Sequence, residues 1–182
     1  MRMVSSKQIK INLCNIILLS TIIFFANNCA STKNRIIEFQ NQHKQISDKY
    51  INDNSLAVND ISLKQENGSV TVNGKTTSRE LYDHLNAFSN FLSFSYEVML
   101  LPDPALGDSV YGIINVSVSP MREQTSHTSQ MIDQVIMGNT VKILYETDDW
   151  YLCQTHYDYV GWITKSVVYQ CDVDFRSNWE QN

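Results

Sequence analysis

Glycine and proline are scarce, with six and three residues among 182. A chain this poor in both is neither fibrous nor disordered. Basic residues are also in short supply: 14 Lys and Arg stand against 19 Asp and Glu, a formal charge of −5. No Lys/Arg cluster follows residue 35. A nucleic-acid binder needs such a patch to displace counterions from phosphates, so nucleic acid is not an expected partner. Histidine is confined to His43, His84, His127 and His156, with no i, i+4 pair and no Cys-x-x-Cys anywhere. Metal-ligand spacing is therefore missing, and neither metal nor cofactor is expected. His84 reads as a solvated or core-edge helix residue. His127 reads as a loop residue held by hydrogen bonds, with a ligand contact as the alternative.

The N-terminus has its own logic. Arg2, Lys7 and Lys10 form a basic start, and an uncharged, mostly apolar run extends from Ile11 to Ala26. The run is shorter than the ~20 apolar residues a spanning helix needs. It reads as an export signal over residues 1–28, with an uncleaved anchor as the alternative. Cys29 follows at the position where a bacterial lipoprotein is cut and acylated, although Asn28 replaces the usual small residue. The expectation is lipidation at Cys29, hence a membrane attachment, or else plain cleavage and a periplasmic protein. Loss of residues 1–28 removes three of the 14 basic residues and none of the 19 acids, leaving a charge of −8. Cys14 leaves with the signal. Cys153 and Cys171 remain, and export would permit a disulfide between them. Two cysteines make no framework, and two buried or unpaired thiols are the preferred reading.

Residues 29–54 read as a polar tether, partly helical, because Ile36, Phe39, Ile46 and Tyr50 recur near helical spacing. Leu56 to Leu63 alternates as a strand, Asn67-Gly68 marks a hairpin, and Val70 and Val72 lie on the next strand, which ends at Asn73-Gly74. Thr77 or Ser78 can then cap a helix carrying the stripe Leu81, Leu85 and Phe88. Phe94 to Leu100 alternates again, and Leu101-Pro102-Asp103-Pro104 closes a small α+β domain over residues 55–104.

From residue 105 to 170 the reading is all-β. Tyr111 to Val118 forms one strand and Ser119 to about Ser129 a long polar loop. Short strands at Ile132–Ile136, Val141–Tyr145, Trp150–Gln154 and Tyr159–Ile163 follow, with turns at Gly138-Asn139, Asp148-Asp149 and His156–Asp158. Strands at this spacing signal a small barrel, fully closed to protect its edges. Residues 171–182 read as a polar tail. The fold class is α+β, a small α+β unit followed by an all-β barrel.

The phrases Tyr111-Gly112-Ile113-Ile114-Asn115-Val116-Ser117-Val118, Met121-Arg122, Ser126-His127-Thr128-Ser129-Gln130-Met131, Asp149-Trp150-Tyr151-Leu152 and Tyr159-Val160-Gly161-Trp162-Ile163 together resemble a bacterial SH3-like barrel. With Leu101-Pro102-Asp103-Pro104-Ala105-Leu106-Gly107-Asp108 before them, the order resembles the non-catalytic N-terminal part of exported NlpC-type cysteine peptidases of Bacteroidetes-like bacteria. That resemblance implies a barrel beside an enzyme that cleaves muropeptides. It also implies peptide contacts from an acidic residue after the Ser-His segment and from the tyrosine of Tyr-x-Gly-Trp. Those positions are Gln130, which departs from the pattern, and Tyr159. The family's nucleophile motif Asp-Cys-Ser-Gly is absent from this sequence, and Cys153 lies mid-strand. A thiolate nucleophile needs a histidine or helix N-terminus beside it, so the chain reads as non-catalytic.

The expected function is an envelope binding module for a peptidoglycan stem peptide or an envelope protein. Trp150, Tyr159 and Trp162 would supply stacking in a groove beside the long loop, or else fill the barrel core. Arg122, Ser126 and Gln130 would supply polar contacts, with Arg122 suited to a carboxylate. Two alternatives stand: the truncated or split front half of a muropeptide endopeptidase, or a structural scaffold for envelope protein interactions.

Overall fold

The structure, a computed structural model, describes residues 31–51, 53 and 55–181. The export signal and the lipidation expected at Cys29 lie outside the described residues.

Residues 31–50 are helical throughout and form α1. The tether reading is corrected here. Phe39 is 1% exposed and joins a core with Val70, Val72, Leu81, Leu85 and Phe94. The spacing of Ile36, Phe39, Ile46 and Tyr50 was the footprint of a buried face, and α1 belongs to the small α+β unit.

That unit is a three-stranded sheet in the order β1-β2-β3 with two helices on it. β1 (Asn59–Glu66) begins three residues later than the alternation suggests and pairs antiparallel with β2 (Ser69–Thr76). The turn between them takes φ 49° at Asn67 and 82° at Gly68, the two positive values a tight two-residue hairpin requires. Asn73-Gly74 does not end β2. Gly74 has φ 137° and faces Ile61, and a Cβ there would strike the Asp60 carbonyl. This glycine permits close backbone approach inside the ladder. α2 (Arg79–Phe91) crosses over to β3 (Ser95–Leu100), which runs parallel to β2. Ser78 caps α2: its Oγ accepts from the Leu81 amide at 3.2 Å.

A short 3-10 turn (Pro104–Leu106) leads into the barrel and buries Leu106 in it. Seven strands follow: β4 (Tyr111–Ile114), β5 (Val118–Arg122), β6 (Met131–Ile136), β7 (Thr140–Glu146), β8 (Trp150–Gln154), β9 (Val160–Thr164) and β10 (Val168–Cys171). Their order is β10-β4-β7-β8-β9-β5-β6. The single strand expected over 111–118 is two strands, broken at 115–117, and the second runs on to Arg122. Pro120 hid it from sequence reasoning. At that residue β5 pairs only with β6, so no ladder bond on the β9 side is forfeited. The loop therefore shrinks to 123–130.

Full closure is also corrected. The ladder ends at β6 and β10, which do not pair with each other, and the turn after β6 is bonded instead to β4 and the 115–117 link. The Met137 amide donates to Ser117 at 3.2 Å, Gly138 to Ile114 at 2.9 Å, and Ile114 to Asn139 at 3.0 Å. The two ends are blunted rather than joined. β6 carries Ile132 as an extra, bulged residue, and β10 is four residues long. Inside sit Ile114, Met121, Val135, Val141, Ile143, Tyr151, Cys153 and Ile163. Cys153 and Cys171 are both buried and free.

The C-terminal tail is likewise corrected, to α3 (Val173–Gln181). Its side chains grip the barrel without any of them being buried. Trp179 Nε1 donates to the Gly138 carbonyl at 3.0 Å, Thr140 Oγ1 donates to Glu180 at 2.6 Å, and the Arg176 guanidinium lies 4.7 Å from the Tyr111 ring centroid.

A third apolar cluster joins the two units. Leu101, Leu144 and Leu152 are buried there, with Val58, Met99, Val160 and Trp162 packed around them. Three bonds cross the same seam: the Val160 amide to Ser55 O at 2.8 Å, the Asp103 amide to Leu144 O at 2.8 Å, and Gln154 Nε2 to Leu56 O at 3.2 Å.

Candidate functional site

The 123–130 loop is held by its own polar residues. Arg122 Nη1 donates to the Ser129 carbonyl at 2.7 Å and the Glu123 amide to Gln130 O at 3.0 Å. The Gln124 amide donates to Ser129 Oγ at 3.0 Å, and the Ser126 and Thr128 hydroxyls bond each other at 3.0 Å. Short hydroxyl side chains satisfy the backbone locally, which fixes a loop that has no ladder of its own.

This loop leans over the start of β8. The His127 ring sits 5.0 Å, centroid to centroid, from the Trp150 ring at 47°. Between the loop, the β7–β8 turn and the end of β9 lies an open groove of about 650 Å³, lined by Ser126, His127, Thr128, Asp148, Asp149, Trp150, Thr164 and Lys165 among others. Lys165 Nζ lies 2.7 Å from Glu146 Oε2, and that bond raises the lysine above its ordinary range. The groove thus offers hydroxyls, an imidazole, two carboxylates and an ammonium at one end of the barrel. Such a wall can hydrogen-bond both the N–H and C=O groups of an extended peptide.

The expected site residues divide. Ser126 and Trp150 line the groove, but Trp150 is only 8% exposed and offers an edge rather than a stacking platform. Arg122 is committed to holding the loop, not to clamping a carboxylate from outside. Gln130 is exposed at the loop base. Trp162 packs in the seam between the two units. Tyr159 is exposed at the far end of the β8–β9 hairpin, because Trp150 pairs with Thr164 while Gln154 pairs with Val160. Trp150 is buried without joining the main barrel cluster, and Trp162 packs against the seam cluster instead. Sequence reasoning read Asp148-Asp149 as turn residues only and passed over Thr164 and Lys165. The signal available was the polar end of the barrel strands beside a Ser-His loop, and only strand pairing shows that these ends coincide.

Burial drives the Cys153 thiol well above its ordinary range, and burial raises Cys171 too. A buried, protonated thiol in a barrel core has neither the thiolate nor the access that nucleophilic attack requires. Among the described residues, no three His, Cys, Asp or Glu side chains gather into a metal-binding group.

No curated protein matches the chain. Residues 117–169 match the family described as Bacterial SH3 domain, a span running from just before β5 into β10.

Proposed function

We propose that the protein is a non-catalytic binding module of the bacterial cell envelope whose barrel binds the stem peptide of peptidoglycan. The observation that carries this reading is the groove beside His127 and Trp150, with its Ser/Thr hydroxyls and the Asp148 and Asp149 carboxylates. The bacterial SH3 match supports a binding role. The resemblance of the Leu101–Asp108 phrase and the following barrel to exported NlpC-type peptidases supports a cell-wall ligand. The apolar run ending at Ala26, with Cys29 close behind it, supports export and attachment to a membrane. The state of Cys153 supports a role without covalent catalysis.

Purified residues 30–182 are mixed with isolated sacculi and, separately, titrated with soluble muropeptides. Binding is expected with no cleavage products. His127→Ala should weaken it about fivefold, the equivalent of ~1 kcal/mol for one lost polar or ring contact. Gln130→Ala and Tyr159→Ala, outside the groove, should leave it unchanged. Absence of sacculus binding, or sensitivity only to Tyr159 and Gln130, would overturn the assignment.

A further inference from the structure

α1 and α2 run antiparallel along the small unit. At one pole, Tyr50 and Ile51, near the end of α1, share a cleft with Ser78 at the start of α2 and with Lys142, Leu144 and Gln154 of the barrel. At the other pole, Arg35 Nη1 donates to the Leu92 carbonyl at 2.9 Å, tying the first turns of α1 to the end of α2. A helix of this length separates the two poles by about 30 Å.

The distal pole is also where the chain arrives from its apolar segment. That run ends at Ala26, and Cys29 precedes the first described helical residue by two positions. Whether the attachment is acyl chains on Cys29 or the apolar run itself, too few residues remain to carry α1 away from the bilayer surface. Phe91, beside Leu92, is 75% exposed, more than any other large apolar side chain described, and Ile37 is 54% exposed in the early turns of α1. Lys33 and Arg35 bring positive charge to this end beside a single acid, Glu38, while the barrel carries Glu146, Asp148 and Asp149 together with Lys142 and Lys165. Exposed Lys33 can meet anionic headgroups at this pole.

We infer that the pole bearing Phe91, Ile37 and Lys33 rests on the lipid surface, and that α1 is a rigid strut holding the barrel groove away from the membrane. This rests on the attachment reading given under the proposed function. An exposed phenylalanine gains by entering the headgroup–acyl boundary, and the helix does not bend back because Phe39 fixes it to the core.

The test uses the full chain produced in membranes and reconstituted into phosphatidylethanolamine/phosphatidylglycerol vesicles that carry a headgroup-level spin-labelled quencher. An environment-sensitive fluorophore is placed at Asn90→Cys and, in a second protein, at Ser166→Cys on the groove. The label at position 90 should lose most of its fluorescence, and the label at 166 should keep it. Adding Phe91→Ser should restore part of the signal at position 90. Equal quenching at both sites, or none at 90, in protein that stays with the vesicles in high salt, overturns the inference and leaves the attachment standing. Protein that washes off the vesicles, with an intact mass showing no acyl chains and no apolar segment, removes both.

Discussion

Gly161 sits where no side chain fits. A Cβ there would lie 2.5 Å from Ile132 Cδ1, 2.5 Å from Met121 Cγ and 3.0 Å from the Arg122 carbonyl oxygen. Two of these neighbours are side chains that can shift, but the third is backbone. Gly161→Ala should therefore destabilise the barrel by about 1–3 kcal/mol, the range for overpacking a filled core, which denaturant unfolding would measure. Cys153 leads to a prediction about pH. Its folded value is raised by burial above the ordinary 9.0, so folded and unfolded states bind the proton equally below pH 9. As pH rises past 9 the unfolded thiol ionises while the folded one does not, and stability falls. Stability curves between pH 8 and 10 should slope downward, and Cys153→Ala should flatten much of that slope while lowering stability at pH 7. Cys171, also raised, accounts for part of what remains. A slope unaffected by Cys153→Ala would contradict this account.

At the scale of elements, α2 and α3 differ in what holds them. α2 buries Leu81, Leu85 and Ser89 and has a side-chain cap, whereas α3 buries nothing and depends on surface bonds and half-exposed rings. Ser78→Ala should cost about 1 kcal/mol, the usual worth of an N-cap. Trp179→Ala removes one hydrogen bond from a half-exposed indole and should cost no more than about 1 kcal/mol. Hydrogen exchange should show α3 amides opening before those of the barrel, since its contacts are few and solvent-facing. Equal protection in α3 and β8 would sink this ranking. The 123–130 loop is different again, because Arg122 pins it from β5. That bond makes the groove wall part of the barrel.

The whole molecule depends on the seam. Leu101, Leu144 and Leu152 are each under 10% exposed, and they come from the connector and two barrel strands. Without that cluster, the small unit and the barrel would share little beyond three hydrogen bonds and the Lys75 ammonium 3.9 Å from the Tyr145 ring centroid. Leu101→Ala should cost about 2–4 kcal/mol through lost burial and the cavity left behind. Calorimetry of the unaltered protein should show one transition, and of Leu101→Ala two overlapping ones. A single, merely shifted transition would mean that the remaining seam contacts couple the units without Leu101. Trp162 acts at this scale as well. Sequence reasoning left it between a ligand groove and the barrel core, and in the fold it packs against the seam.

Local patterns in the sequence determined much of this protein. The hairpin at Asn67-Gly68, the cap at Ser78, the stripe of Leu81 and Leu85 and the strands β6 to β9 follow from spacing and turn chemistry over a few residues, whereas Pro120 concealed β5. Only the tertiary structure decided that α1 is core rather than tether, because the apolar stripe around Phe39 has meaning only once Phe88 and Phe94 lie against it. The same holds for the groove. Ser126, Asp148, Trp150 and Thr164 come from three separate stretches of chain, and strand pairing alone brings them to one end of the barrel while sending Tyr159 to the other.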